Sequence, residues 1–189
     1  MTDSADLSIE VFSAVTELAV TGLTSVVDGD WSVPAGTLDW DCWHTLDHLV
    51  DCVFSYTLQL AGRAHDGWLA LQELHAVPGA TPLQLIEAFG AVSEAFVAVV
   101  RAAPADVTAS DGIHELDIPD WVARATFEVL LHAHDVLTGL DGRFEPALEL
   151  CAATLASPAL WAIDRARAAN AVDAWDALLV ASGRPGRMK

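Results

Sequence analysis

One stretch, WVARATFEVLLHAHDVLTGL over residues 121–140, constrains the fold more than any other. Val122, Thr126, Val129, Leu130, Ala133, Val136 and Leu137 recur at helical spacing and define a broad apolar side. Arg124, Glu128, His132 and Asp135 fall on the other side as a narrow polar stripe. Glu128 and His132 lie one helical turn apart, so both side chains can grip one object. An imidazole and a carboxylate so placed can begin a metal site, which needs a third donor from elsewhere. The plain alternative is a wet helix face, with Arg124 and Glu128 a solvated pair contributing roughly 0.3–0.5 kcal/mol. Trp121 and Leu131, in or beside the stripe, suit the wall of a pocket better than open solvent.

Residues 41–62 repeat the design. Asp41 is a good N-cap, Gly62 a good C-terminal stop, and Leu46, Leu49, Val50, Val53, Phe54 and Leu58 form a core face. The opposite face carries His44, His48, Asp51, Ser55 and Gln59. Two helices therefore bring histidine-bearing polar stripes that can face one cleft.

Two more long helices are predicted. One covers about residues 6–27, with Leu7, Val11, Phe12, Val15, Leu18, Ala19 and Val26 as its face, and ends in the turn-rich DGDWSVPAG, where Trp31 is expected to fold back onto apolar surface. The other opens with the capping box Thr81-Pro82-Leu83-Gln84 and ends at Pro104. A short helix is expected near residues 68–74, and three more near 146–155, from 158, and over 171–181, before a frayed SGRPGRMK tail. No strand-like alternation of any length is visible. The expectation is an all-α protein: one domain over 1–189, a helical bundle with extra short C-terminal helices.

Composition narrows the partners. With 27 acidic against 9 basic residues the net charge is −18, which argues against nucleic acid and anionic membrane surfaces. The N-terminal MTDSADLSIE lacks a basic region followed by an apolar one, and the apolar stretch 11–27 is interrupted by Glu17, so neither signal peptide nor membrane span is read there. Cys42, Cys52 and Cys151 form no CxxC and imply no disulfide framework, which makes a reduced cytoplasm the expected setting. High alanine, low lysine and an acidic pI suggest a high-GC bacterial proteome. Gly-rich phosphate loops, HExxH and GxSxG are absent from the sequence.

Trp31, Pro34, Trp40, His48 and Leu49, followed by Glu128-x-x-x-His132-x-x-Asp135-Val136, make the chain resemble the mycothiol-dependent maleylpyruvate isomerase N-terminal family, within the DinB-like superfamily. The tail WDALLVASGRP is also similar to the ends of single-domain members. The resemblance spans nearly the whole chain. It implies a DinB-like four-helix bundle in which His48, Glu128 and His132 bind a divalent metal. Two imidazoles and a carboxylate suit zinc best, other divalent ions being possible, and three protein donors leave a position open. Asp135 could hold a ligand's ring N–H or a metal-bound water, or shuttle protons; Arg124 could orient Glu128.

His44 departs from the family pattern: it is a fourth ligand, a proton shuttle, or a solvated residue. His134 points away from His132 and is expected to pack or face solvent. His65 and His75 receive no role. The isomerase proper carries a further C-terminal domain, whereas about fifty residues follow helix four here, so the metal site is expected rather than that isomerisation.

The leading functional expectation is a thiol-dependent transferase or isomerase that joins a mycothiol-type thiol to a small electrophile. The alternative is a non-catalytic metal-binding module with a stress or regulatory role; a third is a metal-free bundle. His48-x-x-x-Cys52 matches part of the zinc anti-sigma pattern, but Ser55 stands at its second cysteine, and Cys52 is expected to pack as a small hydrophobe. The apolar coverage of helix four permits a homodimer.

Overall fold

The computed structural model describes residues 7–65, 67, 69, 73–160 and 163–189. Among them, four long helices dominate: α1 (Ile9–Ser25), α2 (Cys42–Gly62), α3 (Pro82–Ala102) and α4 (Ile118–Gly139). Side chains cap three of these helices, α2 and α3 as the sequence predicts. Asp41 accepts the His44 N–H at 2.7 Å to cap α2. Thr81 and Gln84 cap α3 reciprocally, with Pro82 in its first turn. Asp117 accepts the Asp120 N–H at 3.0 Å to cap α4. The stop of α2 differs from expectation: Gly62 stays helical and Arg63 takes the left-handed conformation, φ 48°. The predicted start at residue 6 and most of the predicted 68–74 helix lie outside the described residues.

α1 packs on α3 and α4, and α2 packs on the same two helices, so the four share one core. Phe12, Leu23, Leu46, Leu49, Phe89, Phe96, Leu130 and Leu137 are buried there, with Phe12 and Phe96 edge to face at 5.0 Å. α3 is long and apolar enough to cross a membrane by length and composition. Here Leu85, Ile86, Phe89, Phe96 and Val97 of that helix are core residues. Trp31 folds back as expected, 5% exposed, and donates to Val26 O at 3.3 Å. The loop after it clamps the start of α2, with Cys42 N donating to Val33 O and Ala35 N to Trp40 O, both at 2.9 Å. The last turn of α4 passes beneath this loop. A Cβ at Gly139 would collide with Pro34 O and come within 2.7 Å of Cys42 Sγ, so only glycine admits this approach.

Further features depart from the sequence expectation, among them the helix expected from 158: the one helical element among the described residues between 156 and 174 is a 3-10 turn at Arg167–Asn170. The segment before α4 contains a hairpin, β1 (Thr108–Ser110) paired antiparallel with β2 (Glu115–Asp117), Ala109 opposite Leu116. Three-residue strands are too short to show alternation. The C-terminal part holds α5 (Leu148–Ala156), a 3-10 turn (Arg167–Asn170) and α6 (Ala174–Ala181), and its tail is tied down rather than frayed. Val172 N donates to Arg187 O at 3.0 Å and Lys189 N to Asn170 O at 2.8 Å. Arg187 also bridges Asp173 at 2.6 Å and Asp176 at 2.9 Å.

Candidate functional site

The two polar stripes meet where α2 and α4 pack. The His48 and His132 rings lie edge to face with centroids 5.2 Å apart. One turn before His132, Glu128 places Oε2 3.2 Å from its Nε2. The other Glu128 oxygen accepts from the Tyr56 hydroxyl at 3.1 Å. One turn beyond His48, Cys52 Sγ is 3.3 Å from His48 Nε2. Among the described residues, no group of three or more His, Cys, Asp or Glu side chains stands arranged to hold a metal ion. The donors stand in contact with one another in pairs instead.

This is not a wet helix face. The side chains of Arg124 and His132 are each 12% exposed and that of Asp135 only 2%. Asp135 forms a fork with Arg184: Nε lies 3.1 Å from both carboxylate oxygens and Nη2 2.7 Å from Oδ2. The same Oδ2 lies 3.6 Å from His132 Nδ1. Asp135 therefore lies on the Nδ1 side of the imidazole while Nε2 faces Glu128, and Arg184 fixes the Asp135 carboxylate. The ion pair fits Asp135 to this orienting role better than to proton transfer.

Electrostatics follow from these contacts. Burial pushes the Glu128 carboxyl up, but His132 and the Tyr56 hydroxyl outweigh it and hold it below the usual range. Burial pushes His132 down, but Asp135 and Glu128 outweigh it, so the imidazole holds its proton more tightly than usual. Burial and the neighbouring His132 lower His48, which favours the neutral ring. Burial, with Glu128 and then Asp51, pushes the Cys52 thiol up.

Arg124 does not act as expected. Its Nη2 pairs with Asp111 Oδ2 at 2.6 Å and its Nε donates to Ala159 O at 3.2 Å. It thus ties the hairpin to the C-terminal segment. The solvated Arg124–Glu128 pair and the orienting of Glu128 by Arg124 are both replaced, the latter by Tyr56 and His132. Trp121 is fully buried, tilted against Tyr56 at 5.2 Å, and Leu131 is 2% exposed, so both pack rather than wall a cleft.

Asp111 also accepts the N–H groups of Ile113 at 2.8 Å and His114 at 2.5 Å. Burial raises its pKa, but those two donors and Arg124 bring it down to about 2. A depressed folded-state pKa contributes stability above the unfolded carboxyl value, lost as pH falls through the folded one. Asp111→Asn is expected to cost roughly 2 kcal/mol at neutral pH, at about 1.4 kcal/mol per pKa unit. The gap from wild type should close between about pH 4 and pH 2. Urea melts of both proteins at pH 7 and pH 3 check this; an equal gap at both refutes it.

Two cavities flank the cluster. One of about 200 Å³ is lined by Tyr56, Glu128, Arg124 and the apolar Phe127, Leu160 and Ile163. The other, of about 320 Å³, reaches His48 and is lined by Trp40, His44, Asp47 and His75 among others. His44 stands in this second cavity, 65% exposed, with Nδ1 2.7 Å from its own capping Asp41. It belongs to the mouth, not to the half-buried cluster. His75 Nδ1 pairs with Asp47 at 2.8 Å and Ala76 N donates to the same side chain, which fastens this segment to α2. His134 packs on Trp175, ring centroids 5.2 Å apart.

Tyr56 and Arg184 are the members that sequence reasoning missed, and Cys52, expected to pack as a small hydrophobe, is only partly buried and touches His48. For Tyr56 and Cys52 a signal existed: 48, 52 and 56 step one turn at a time along one edge of α2. No protein-family profile, curated protein or solved structure matches the chain.

Proposed function

We propose that the chain is a DinB-like four-helix bundle holding one divalent ion, zinc by donor type, with His48, Glu128 and His132 as protein donors. The centre serves a transfer or isomerisation in which a low-molecular-weight thiol of mycothiol type meets a small electrophile. One observation supports this most: a second histidine from α2 is brought to the Glu128–His132 pair of α4 at a half-buried position flanked by two cavities. Two imidazoles and a carboxylate are donor types that suit a borderline divalent ion, and binding would replace the present His132–Glu128 contact. When bound, zinc supplies positive charge that keeps a thiol ionised at neutral pH.

The chain's own residues do the rest. Asp135, fixed by Arg184, orients His132. Tyr56 holds one Glu128 oxygen and leaves the other facing His132. Phe127, Leu160 and Ile163 exclude water on the Glu128 side and offer an apolar seat to an electrophile. His44, at the His48 side, is placed to exchange protons with solvent. A second reading, a non-catalytic metal-binding module, draws support from the Cys52–His48 contact, because a protein sulfur there would close the site.

Elemental mass spectrometry on untagged protein tests the reading. Near-stoichiometric divalent ion is expected in wild type and its loss in Glu128→Ala. No metal in either, after zinc addition and desalting, overturns it. Full thiol-transfer activity in a His48→Ala, His132→Ala double variant would refute the catalytic part.

A further inference from the structure

Away from the α2–α4 cluster, α1 and α3 enclose a cavity of about 390 Å³. That volume lies in the range of small-molecule sites, about 300–1,000 Å³. Phe12, Val20 and Val97 give it apolar walls, and Thr16, Ser93 and Gly90 also line it. Two of these side chains are buried polar groups without a partner: Thr16 is 8% exposed and Ser93 2%, and neither hydroxyl makes a hydrogen bond. Other helical hydroxyls return to the preceding turn. Ser13 Oγ donates to Ile9 O at 3.0 Å and Thr57 Oγ1 to Val53 O at 2.7 Å. A buried hydroxyl left unpaired costs free energy, so two on one cavity point to a ligand group that pairs them. Gly90 points the same way. Glycine inside a helix is destabilising relative to alanine, yet a Cβ at this position would meet nothing within 4 Å. No packing contact requires the glycine, and its effect is to leave the cavity open.

The rim of the cavity is acidic. Near the start of α1, Glu10 lies 3.8 Å from Arg101, near the end of α3, so charge is balanced at that level. Two turns farther along each helix, Glu17 and Glu94 line the cavity and are exposed. α1 carries no basic residue and α3 none but Arg101, so neither helix neutralises these two carboxylates. We propose that the cavity binds a small primary amine with an apolar body. The body packs against Phe12, Val20 and Val97, and the ammonium is held by Glu17, Glu94 and the hydroxyls of Thr16 and Ser93. An ammonium brings three N–H donors, and hydroxyl and carboxylate oxygens accept them. One ligand group thus answers both the unpaired hydroxyls and the unbalanced acidic rim. A second copy of the chain is disfavoured as occupant, because a net charge of −18 brings like charge to that rim. The site shares no residue with the metal reading and stands independently of it.

Calorimetry and amide chemical-shift mapping of the full chain with 4-phenylbutylamine test the proposal, with 4-phenylbutanol and 4-phenylbutyrate as the neutral and anionic counterparts. Saturable binding of the amine at a single site is expected, with shifts confined to residues 12–21 and 90–97. The alcohol should bind more weakly and the carboxylate not measurably. Gly90→Leu fills the cavity, leaves every charge in place and should abolish binding. Glu17→Gln, Glu94→Gln should weaken it about fivefold, the scale of exposed charge pairs. Amine shifts spread over other acidic faces, or binding unchanged in Gly90→Leu, would assign the amine to the net negative charge and overturn the proposal. An alcohol that binds as tightly as the amine overturns the cationic class of ligand, and no binding of the amine overturns the site. A dimer whose interface buries residues 12–21 and 90–97 overturns it in favour of a second copy. Should Gly90→Leu fail to fold, the wild-type shift map decides by itself.

Discussion

Arg184→Ala is expected to lower the unfolding free energy by about 3–5 kcal/mol, the range for removing one partner of a buried ion pair. The physical reason is the carboxylate left behind. Asp135 is 2% exposed in its side chain and Arg184 13%, so water cannot replace the guanidinium. Three nitrogen–oxygen contacts of 2.7–3.1 Å vanish together. Arg184→Lys keeps the charge but not the planar fork, and should recover only part of the loss. The double variant Asp135→Asn, Arg184→Met should lose less than the sum of its singles, because neither change then strands a charge. Urea denaturation of wild type, Arg184→Ala, Arg184→Lys, Asp135→Asn, Arg184→Met and the double variant checks the set. A cost below about 1 kcal/mol, as for exposed pairs, would mean that the tail does not anchor α4.

That pair also shows where sequence reading stops. Arg184 sits in SGRPGRMK, whose glycines and proline read as frayed chain. Its partner is 49 positions away, and no local pattern records such a contact. Arg124 teaches the converse. An acidic residue one turn along its own helix suggested a local pair, yet Asp111 from the hairpin captures the guanidinium. Asp111 is already desolvated and held by two backbone N–H donors, so it offers a fixed charge that Glu128 does not. The hairpin itself escaped because its strands are three residues long.

What was legible rests on short-range physics. Asp41, and Thr81 with Gln84, mark helix starts because each supplies local backbone chemistry that tertiary packing does not override. The approach of His48 to His132 was legible from two stripes of equal character on two helices. Which neighbours complete the cluster was not. Tyr56 and Cys52 lie at the border between stripe and core face, where the packing of α2 against α4, not helical period, decides whether a side chain points at His48 and Glu128.

Zinc at a hundredfold excess over its dissociation constant is expected to stabilise wild type by about 2.7 kcal/mol. For a chain of 189 residues, at about 2–4 °C per kcal/mol, this is a rise of roughly 5–11 °C in the thermal midpoint. His132→Ala should show no such rise. The comparison must be between shifts, not midpoints, because His132 also lies 3.2 Å from Glu128 and 3.6 Å from Asp135, and its removal takes a neighbour from both carboxylates. A net charge of −18 draws divalent cations to the surface without any site. Magnesium and calcium therefore serve as controls: they share that attraction but prefer oxygen donors over imidazole. A zinc shift reversed by chelator, absent with magnesium and lost in His132→Ala, is the expected pattern. An equal zinc shift in the variant would assign the effect to the acidic surface and leave the α2–α4 cluster as a metal-free network of imidazole, carboxylate and guanidinium.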